Sequence, residues 1–343
     1  MGQDILFLPI SGPRGASSRY RVFQFLPWLT EAGITHAVHL PPDSPGSGIQ
    51  RLVKALRERR AIAGMAHESR SVFVQKRLLP VTQVDALAAA RPLAFDFDDA
   101  IFTSPSGERS RVAQRRVEER LKHVLATAKI VIAGNRYLCD YANQFARRVV
   151  HLPTVIDHTR YPAKAHAETP KIVIGWIGHS VNHPYLLDMS EILQELAKRW
   201  KIRLLVVSDR DLAIPGVQVE NRRWSEATEV RDILDMDIGI MPMPDDPWSR
   251  GKCGFKAIQY MAAWIPVVCA AVGANIEIVR DRIDGFCAGS EAQWRDGLAA
   301  LIADVNLRQQ IGTAARARIQ ANYSLENAAP QLIDTLSALC EMP

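Results

Sequence analysis

The sequence predicts an α/β protein of two doubly wound domains, and three observations carry that prediction. At 343 residues the chain is longer than one hydrophobic core usually organises. Short apolar runs of buried-strand type alternate with helical periodicity along nearly its whole length. The alternation stops over residues 153–170, where three prolines and two histidines break any apolar period, and then restarts. The expected organisation is a first domain over 1–155, a linker over 156–169, a second domain over 170–324 and a last helix over 325–343.

Each element follows from local pattern. Residues 4–10 are a continuous apolar strand that ends in a Gly- and Ser-rich turn over 12–18. Val22, Phe25, Leu26 and Leu29 then recur at helical spacing up to Gly33, and Pro27 inside that run predicts a kink or interruption. With a short strand over 36–40 this makes strand, glycine loop, helix, strand, the opening of a doubly wound sheet. Further helices are expected over 48–63, 84–90, 108–127 and 135–147, and strands over 71–75, 92–97, 129–133 and 149–153. In the second half, strands are expected over 171–178, 202–208, 238–242 and 267–270. Helices are expected there over 185–200, 226–234, 256–263, 293–303 and 325–342. Two similar α/β halves around a cleft follow from this pattern.

Composition narrows the function. Apolar residues make up 48% and charged residues 23%, ordinary for a globular protein in water. No apolar run is long enough to span a bilayer, and the N-terminus has Asp4 where a leader needs a basic region, so a cytoplasmic location is expected. Cys139, Cys253, Cys269, Cys287 and Cys340 are odd in number, scattered and free of metal-site spacing, and read as reduced core thiols. Residues 1–150 hold 22 Lys and Arg against 13 Asp and Glu, whereas the remainder holds 20 against 24. The ordinary reading of the basic runs near 57–60 and 109–122 is a solvated helix face. The sharper one is peripheral docking on an anionic lipid or acceptor, including the inner membrane face. No aromatic interleaving or binding motif suggests nucleic acid.

Chemistry concentrates in residues 248–268. Lys252, Cys253 and Gly254 follow a buried strand and lead through Phe255 and Lys256 into a helix. A glycine loop at a helix start points backbone amides outward, the helix dipole adds partial positive charge, and Arg250, Lys252 and Lys256 add full charges. That combination suits a diphosphate; a basic loop capping an ordinary βα unit is the alternative. The segment Gln259-Tyr260-Met261-Ala262-Ala263-Trp264-Ile265-Pro266-Val267-Val268 resembles the helix-to-strand motif Glu-Ala-Met-Ala-x-Gly-x-Pro-Val-Val of the retaining glycosyltransferase family 4. Val272-Gly273-Ala274-Asn275-Ile276-Glu277-Ile278-Val279 and Asp284-Gly285-Phe286 match the family's continuation. Residues 307–316, Tyr323-Ser324, residues 128–135 and residues 152–157 are similar to later and earlier family segments, so the resemblance covers most of the chain in order.

The resemblance implies a GT-B fold, two Rossmann-like domains facing across a cleft, with the acceptor on the first domain and a nucleotide-diphosphate sugar on the second. It also implies a last helix crossing back to the first domain. Retention without a dedicated metal or cofactor is implied, the sugar nucleotide being a co-substrate. The sequence departs from the family at the paired glutamates, where Gly251 and Gln259 stand; an amide at Gln259 can still accept from a ribose hydroxyl. The Arg and Lys that the family carries after the first strand of the second domain are absent from Gly178-His179-Ser180, leaving Lys252 and Lys256 to supply charge and His179 to hydrogen-bond a phosphate. Across the cleft, Gly15, Ser17 and Arg19 are expected to touch the donor, the alternative being an N-cap at Ser17 or Ser18.

Asp96, Asp98 and Asp99 close a buried strand, and three acids there need solvent or partners. Asp98 is the candidate catalytic group, for contact with the donor sugar or for taking the acceptor's proton. The same residues imitate the aspartates of haloacid-dehalogenase-type phosphatases, with Asp96 as nucleophile, and a non-catalytic nucleotide-sugar-binding protein is a further alternative. The acids at 235, 237, 245 and 246 read as helix-end and loop charges, His151, His158 and His166 as too loosely placed for a site, and Trp176, Trp224 and Trp264 as packing residues. The resulting expectation is an enzyme moving a hexosyl group from a nucleotide-diphosphate sugar to an acceptor hydroxyl in glycan, polysaccharide or glycoconjugate biosynthesis.

Overall fold

The computed structural model describes residues 2–42, 47–104 and 110–342. The chain forms two compact units, Met1–Thr154 with Leu325–Pro343, and Val155–Ser324.

The first unit holds β1 (Gln3–Leu8), β2 (His36–Val38), β3 (Ser69–Gln75), β4 (Leu93–Phe97), β5 (Ile130–Ala133) and β6 (Val149–His151). They pair in parallel in the order β2-β1-β3-β4-β5-β6. Ile5 to Leu8, Val72 to Val74 and Leu93 to Phe97 are buried, as continuous apolar runs in a parallel sheet covered on both faces require. Its helices are α1 (Ala16–Arg21), α2 (Leu26–Glu31), α3 (Gly48–His67), α4 (Val81–Ala90), α5 (Arg111–Thr127) and α6 (Arg136–Ala142). The interruption expected at Pro27 is present: a 3₁₀ turn over Phe23–Phe25 separates α1 from α2, and Pro27 stands in the first turn of α2, where its missing N–H costs nothing. Ser110 caps α5 through Ala113 N at 3.3 Å, and Asn135 caps α6 through Leu138 N at 2.8 Å. Residues 108 and 109 of the helix expected over 108–127 lie outside the described residues.

The second unit holds β7 (Ile172–Ile177), β8 (Ile202–Ser208), β9 (Val219–Arg223), β10 (Ile238–Met241), β11 (Val267–Ala270) and β12 (Phe286–Ala288), paired in parallel as β9-β8-β7-β10-β11-β12. Its helices are α7 (His183–Leu187), α8 (Ser190–Arg199), α9 (Glu229–Leu234), α10 (Pro247–Arg250), α11 (Phe255–Ala262), α12 (Asn275–Ile278), α13 (Glu291–Ala303) and α14 (Val305–Asn322). The single helix expected over 185–200 is two, because the Ser190 hydroxyl takes the Leu187 carbonyl at 2.6 Å and diverts it from the helical ladder. Residues 156–169, expected as a linker, belong to this unit. Arg316 donates to the carbonyls of His158 and Ala262 at 2.7 Å each, and Lys164 pairs with Asp237 at 3.1 Å. The last helix, α15 (Leu325–Cys340), groups with the first unit, and Gln331 within it donates to the His151 carbonyl at 3.0 Å. Among the described residues no helix is long and apolar enough to cross a membrane.

Both strand orders place a switch point where chain direction across the sheet reverses, between β1 and β3 in one unit and between β7 and β10 in the other. Loops leaving the carboxyl ends of those strands diverge there and leave room for a ligand.

Candidate functional site

In the second unit the chain leaving β10 runs through α10, whose cap Asp246 accepts from Ser249 N at 2.7 Å. It then reaches Lys252, the buried Cys253 and Gly254. Gly254 is the N-cap of α11 with φ of 64°, a left-handed conformation that favours glycine. No side chain caps that helix start and no acid lies in its first turn, so the partial positive charge of α11 meets no carboxylate of its own. Phe255 and Lys256 open the helix, and Lys256 lays its stem over Gly178 at the end of β7. A Cβ at Gly178 would stand 2.7 Å from Lys256 Cε and 2.9 Å from the Trp176 ring. Lys256 Nζ lies 5.6 Å from the centroid of Trp176, and Lys252 Nζ lies 5.2 Å from that of Trp248. The turn after β7 carries no cation of its own, and Lys256 brings one to it from the far side of the switch point. Gly273 completes this corner: its φ is 55°, and a Cβ there would stand 2.6 Å from the Arg250 carbonyl oxygen.

Three expected donor residues are placed differently. Ser180 donates its backbone N–H to Asp209 Oδ1 at 2.6 Å and its hydroxyl to Oδ2 at 2.9 Å, so both donors already hold an anion. Those bonds keep the Asp209 carboxyl far below the usual carboxylate range. Asp209 also faces His179 Nε2 at 3.4 Å, while His179 Nδ1 accepts from Val181 N at 3.3 Å. The exposed imidazole thus stands next to a carboxylate that repels a phosphate. Gln259 is buried, and its amide nitrogen faces Tyr161 Oη at 3.4 Å, so it is directed into the core. Trp264, standing where the resembling motif has glycine, adopts φ of 64°.

The first unit gathers a second cluster at its own switch point. Ser17, in α1, donates to Asp98 Oδ1 and Oδ2 at 2.8 and 2.7 Å and accepts from Gln75 Nε2 at 2.8 Å. Lys76 Nζ lies 3.0 Å from Asp98 Oδ1 and also pairs with Asp99. Lys76 reaches them from a left-handed backbone, φ of 57°, rare for a residue with a side chain. Gly15 is the N-cap of α1 and packs on Ser11, so neither Ser17 nor Ser18 serves as the cap. Arg19 is buried, its guanidinium 4.5 Å from the Tyr20 ring centroid. Asp96 is 1% exposed and locked to Arg21, whose Nε lies 3.2 Å from each carboxylate oxygen and whose Nη1 donates to the Leu152 carbonyl at 2.6 Å. An aspartate nucleophile must be reachable by substrate, so the phosphatase alternative loses its nucleophile.

Lys76 and Gln75 were not legible as site residues. Their signal is their place at the end of β3 beside the acids closing β4. Lys76, followed by Arg21 and Ser17, holds the Asp98 carboxyl below the usual range against the opposing pull of burial, and the Lys76 ammonium is held above its ordinary value by Asp98 and Asp99. The depressed Asp98 contributes stability above the ordinary carboxylate pKa that is lost as pH falls through the lowered one; the raised Lys76 contributes below its ordinary pKa and loses it only in strong alkali. Lys76→Met is therefore expected to lower the melting temperature by a constant amount near neutrality. The gap from wild type is expected to shrink below about pH 4 as Asp98 protonates. Melting curves across pH check this, and a gap that ignores acid removes the pairing from the stability of this unit.

Residues 171–304 match the family described as glycosyl transferases group 1. No curated protein matches the chain significantly. Among solved structures, a sucrose-phosphate synthase from Thermosynechococcus elongatus superposes with TM-score 0.76 at 15% identity, over 98% of this chain and 99% of that one. Anabaena HepE in complex with UDP and glucose gives 0.67 at 17% identity over 98% and 100%. A UDP-forming α,α-trehalose-phosphate synthase from Burkholderia xenovorans gives 0.68 at 13% identity over the full length of both. At such identities the likeness concerns architecture: two parallel six-stranded α/β sheets, the fold of GT-B glycosyltransferases, with a group 1 match over most of the second unit.

Proposed function

We propose that this protein transfers a hexosyl group from a nucleotide-diphosphate sugar to an acceptor hydroxyl, with retention, in glycan or glycoconjugate biosynthesis. The observation that carries the reading is Lys256 lying against Gly178 beside the uncapped start of α11. A departing nucleoside diphosphate gains negative charge as the glycosidic bond breaks. Backbone amides at a helix N-terminus together with two ammonium groups stabilise that charge without rearranging. Gly178, Lys252, Cys253, Gly254, Phe255 and Lys256 form the donor set on this reading, and His179 remains at its edge. HepE, in complex with UDP-glucose, is the kind of relative that motivates the donor class.

The first unit is the acceptor side on this reading, with Asp98 and Ser17 as its polar contacts. Because Asp98 is held ionised by Lys76, Arg21 and Ser17, it is a weak base and serves better to orient a hydroxyl by accepting its hydrogen bond. No metal or organic cofactor takes part: the ammonium groups and amides supply the charge stabilisation. The basic first unit also meets an anionic lipid surface at the inner face of the membrane.

Gly251 favours a second reading, nucleotide-sugar binding without transfer. It ends α10 with no side chain where the resembling family has a glutamate. A thermal-shift panel of nucleotide sugars on wild type, Lys252→Ala and Lys256→Ala, run beside an assay for released nucleoside diphosphate, separates the outcomes. A ligand at 100 times its Kd stabilises the native protein by about 2.7 kcal/mol, and each variant is expected to lose most of that shift. Absence of any shift in wild type, or variants that respond in full, removes the donor assignment; a shift without release favours the binding protein.

A further inference from the structure

Helix α3 carries an unpartnered apolar stripe. Ile49, Leu52, Val53 and Leu56 are 80%, 63%, 39% and 51% exposed. Their i, i+3, i+4, i+7 spacing puts them on one side of the helix. Ile62 and Ala66, the buried residues of α3, lie roughly 130° and 90° round the helix from the middle of that stripe at 3.6 residues per turn. The stripe is therefore turned aside from the buried face of the helix, in keeping with its exposure. Residues 48–57 are exposed on every side, so the first turns of α3 project from the body of the unit.

The charge around the stripe is predominantly positive. α3 carries Arg51, Lys54, Arg57, Arg59 and Arg60 against a single acid, Glu58, and Glu58 is already paired with Arg77. On the helical wheel Arg57 and Arg59 flank the stripe on its two sides, and Arg60 extends it by a turn. α4 packs on α3, and α5 packs on α4. On α5 the exposed Arg111, Arg115, Arg116 and Arg120 outnumber Glu118 and Glu119 and add to the positive charge of this unit. A helix whose apolar face is bordered by arginine fits a surface with anionic groups outside and hydrocarbon beneath. A second copy of this chain would instead bring like charge against like.

We propose that α3 is the membrane-docking element of this protein: it lies in the headgroup plane of an anionic bilayer, with Ile49, Leu52, Val53 and Leu56 in the acyl boundary and the arginines on lipid phosphates. The proposal rests on the reading that the first unit meets a lipid surface, and it names the residues that do so.

Sedimentation of the full chain with vesicles tests it, using phosphatidylglycerol mixed with phosphatidylcholine beside phosphatidylcholine alone. Wild type is expected to partition onto the anionic vesicles, less so as salt rises, and only weakly onto the neutral ones. Leu52→Glu with Leu56→Glu is expected to lower the partition coefficient about tenfold or more, and Arg57→Gln with Arg59→Gln several-fold. All four positions are solvent-facing, so the variants are expected to melt with wild type and to keep any nucleotide-sugar shift. The proposal is overturned if wild type stays in solution with anionic vesicles or if the glutamate variant partitions like wild type. It is also overturned if the stripe substitutions only convert a wild-type dimer to monomer in sedimentation equilibrium. Vesicle binding without any nucleotide-sugar shift leaves this proposal standing and removes the transferase reading.

Discussion

Arg21→Met is expected to destabilise the first unit by about 3–5 kcal/mol, because it leaves the Asp96 carboxylate buried without its counter-charge. Both side chains are 1% exposed, and Arg21 additionally satisfies the Leu152 carbonyl in the segment that leaves β6. One guanidinium therefore ties α1, the end of β4 and the exit from the sheet. Removing it strands an acid and a carbonyl at once; burial already holds the Asp96 carboxyl above its usual range against the pull of Arg21, and without the guanidinium it is expected to rise further and take a proton. The effect is local to one unit, so hydrogen exchange resolved by peptide is the suitable readout. Amides of β1, β3 and β4 are expected to lose roughly two to three orders of magnitude of protection while those of β7 and β8 keep theirs. Arg21→Met combined with Asp96→Leu is expected to recover much of the loss, since a buried pair replaced by packed apolar groups is often neutral. A single variant with unchanged protection means that the pair contributes nothing to the fold.

The same cluster shows where sequence reading stops. Strands β1, β3, β7 and β8 were legible because a strand buried on both faces must be a continuous apolar run. β9 was not: Val-Glu-Asn-Arg-Arg sits at the sheet edge and pairs only with β8, and Arg222 spends its charge on Glu220, Asp232 and Asp235. No period of two survives when one strand edge and much of both faces are wet. Lys252, Gly254 and Lys256 were legible because their chemistry is local, a glycine and cations at a helix start. Lys76 was invisible because its meaning is not local: its neighbours in sequence are strand residues, and its partners close another strand. Asp209 escaped for the same reason, standing at the end of β8 and occupying Ser180 after β7. Polar residues whose role is to hold other polar residues leave no periodic trace.

Gly273→Ala is expected to cost the second unit about 3 kcal/mol and to remove most of its response to nucleotide sugars. Two terms add. An L-residue at φ of 55° pays about 1–2 kcal/mol for the left-handed backbone. The new Cβ would also stand 2.6, 2.9 and 3.0 Å from the carbonyl oxygen, Cα and carbonyl carbon of Arg250, and backbone atoms cannot swing aside as a side-chain end can. The loop must move as a body, and it is the loop that delivers Lys252 and Gly254 to α11. Gly216→Ala is the matched control: φ is 75°, but its Cβ would meet only Gln194 Cγ at 3.7 Å. That variant is expected to pay the backbone term alone, about 1 kcal/mol, or roughly 2–4 °C in melting temperature, and to keep its ligand response. Gly273→Ala is expected to fall about three times as far and to need at least tenfold more nucleotide sugar for the same shift. Equal behaviour of the two variants would mean that contact between the 250 and 273 loops does not shape the anion-binding corner.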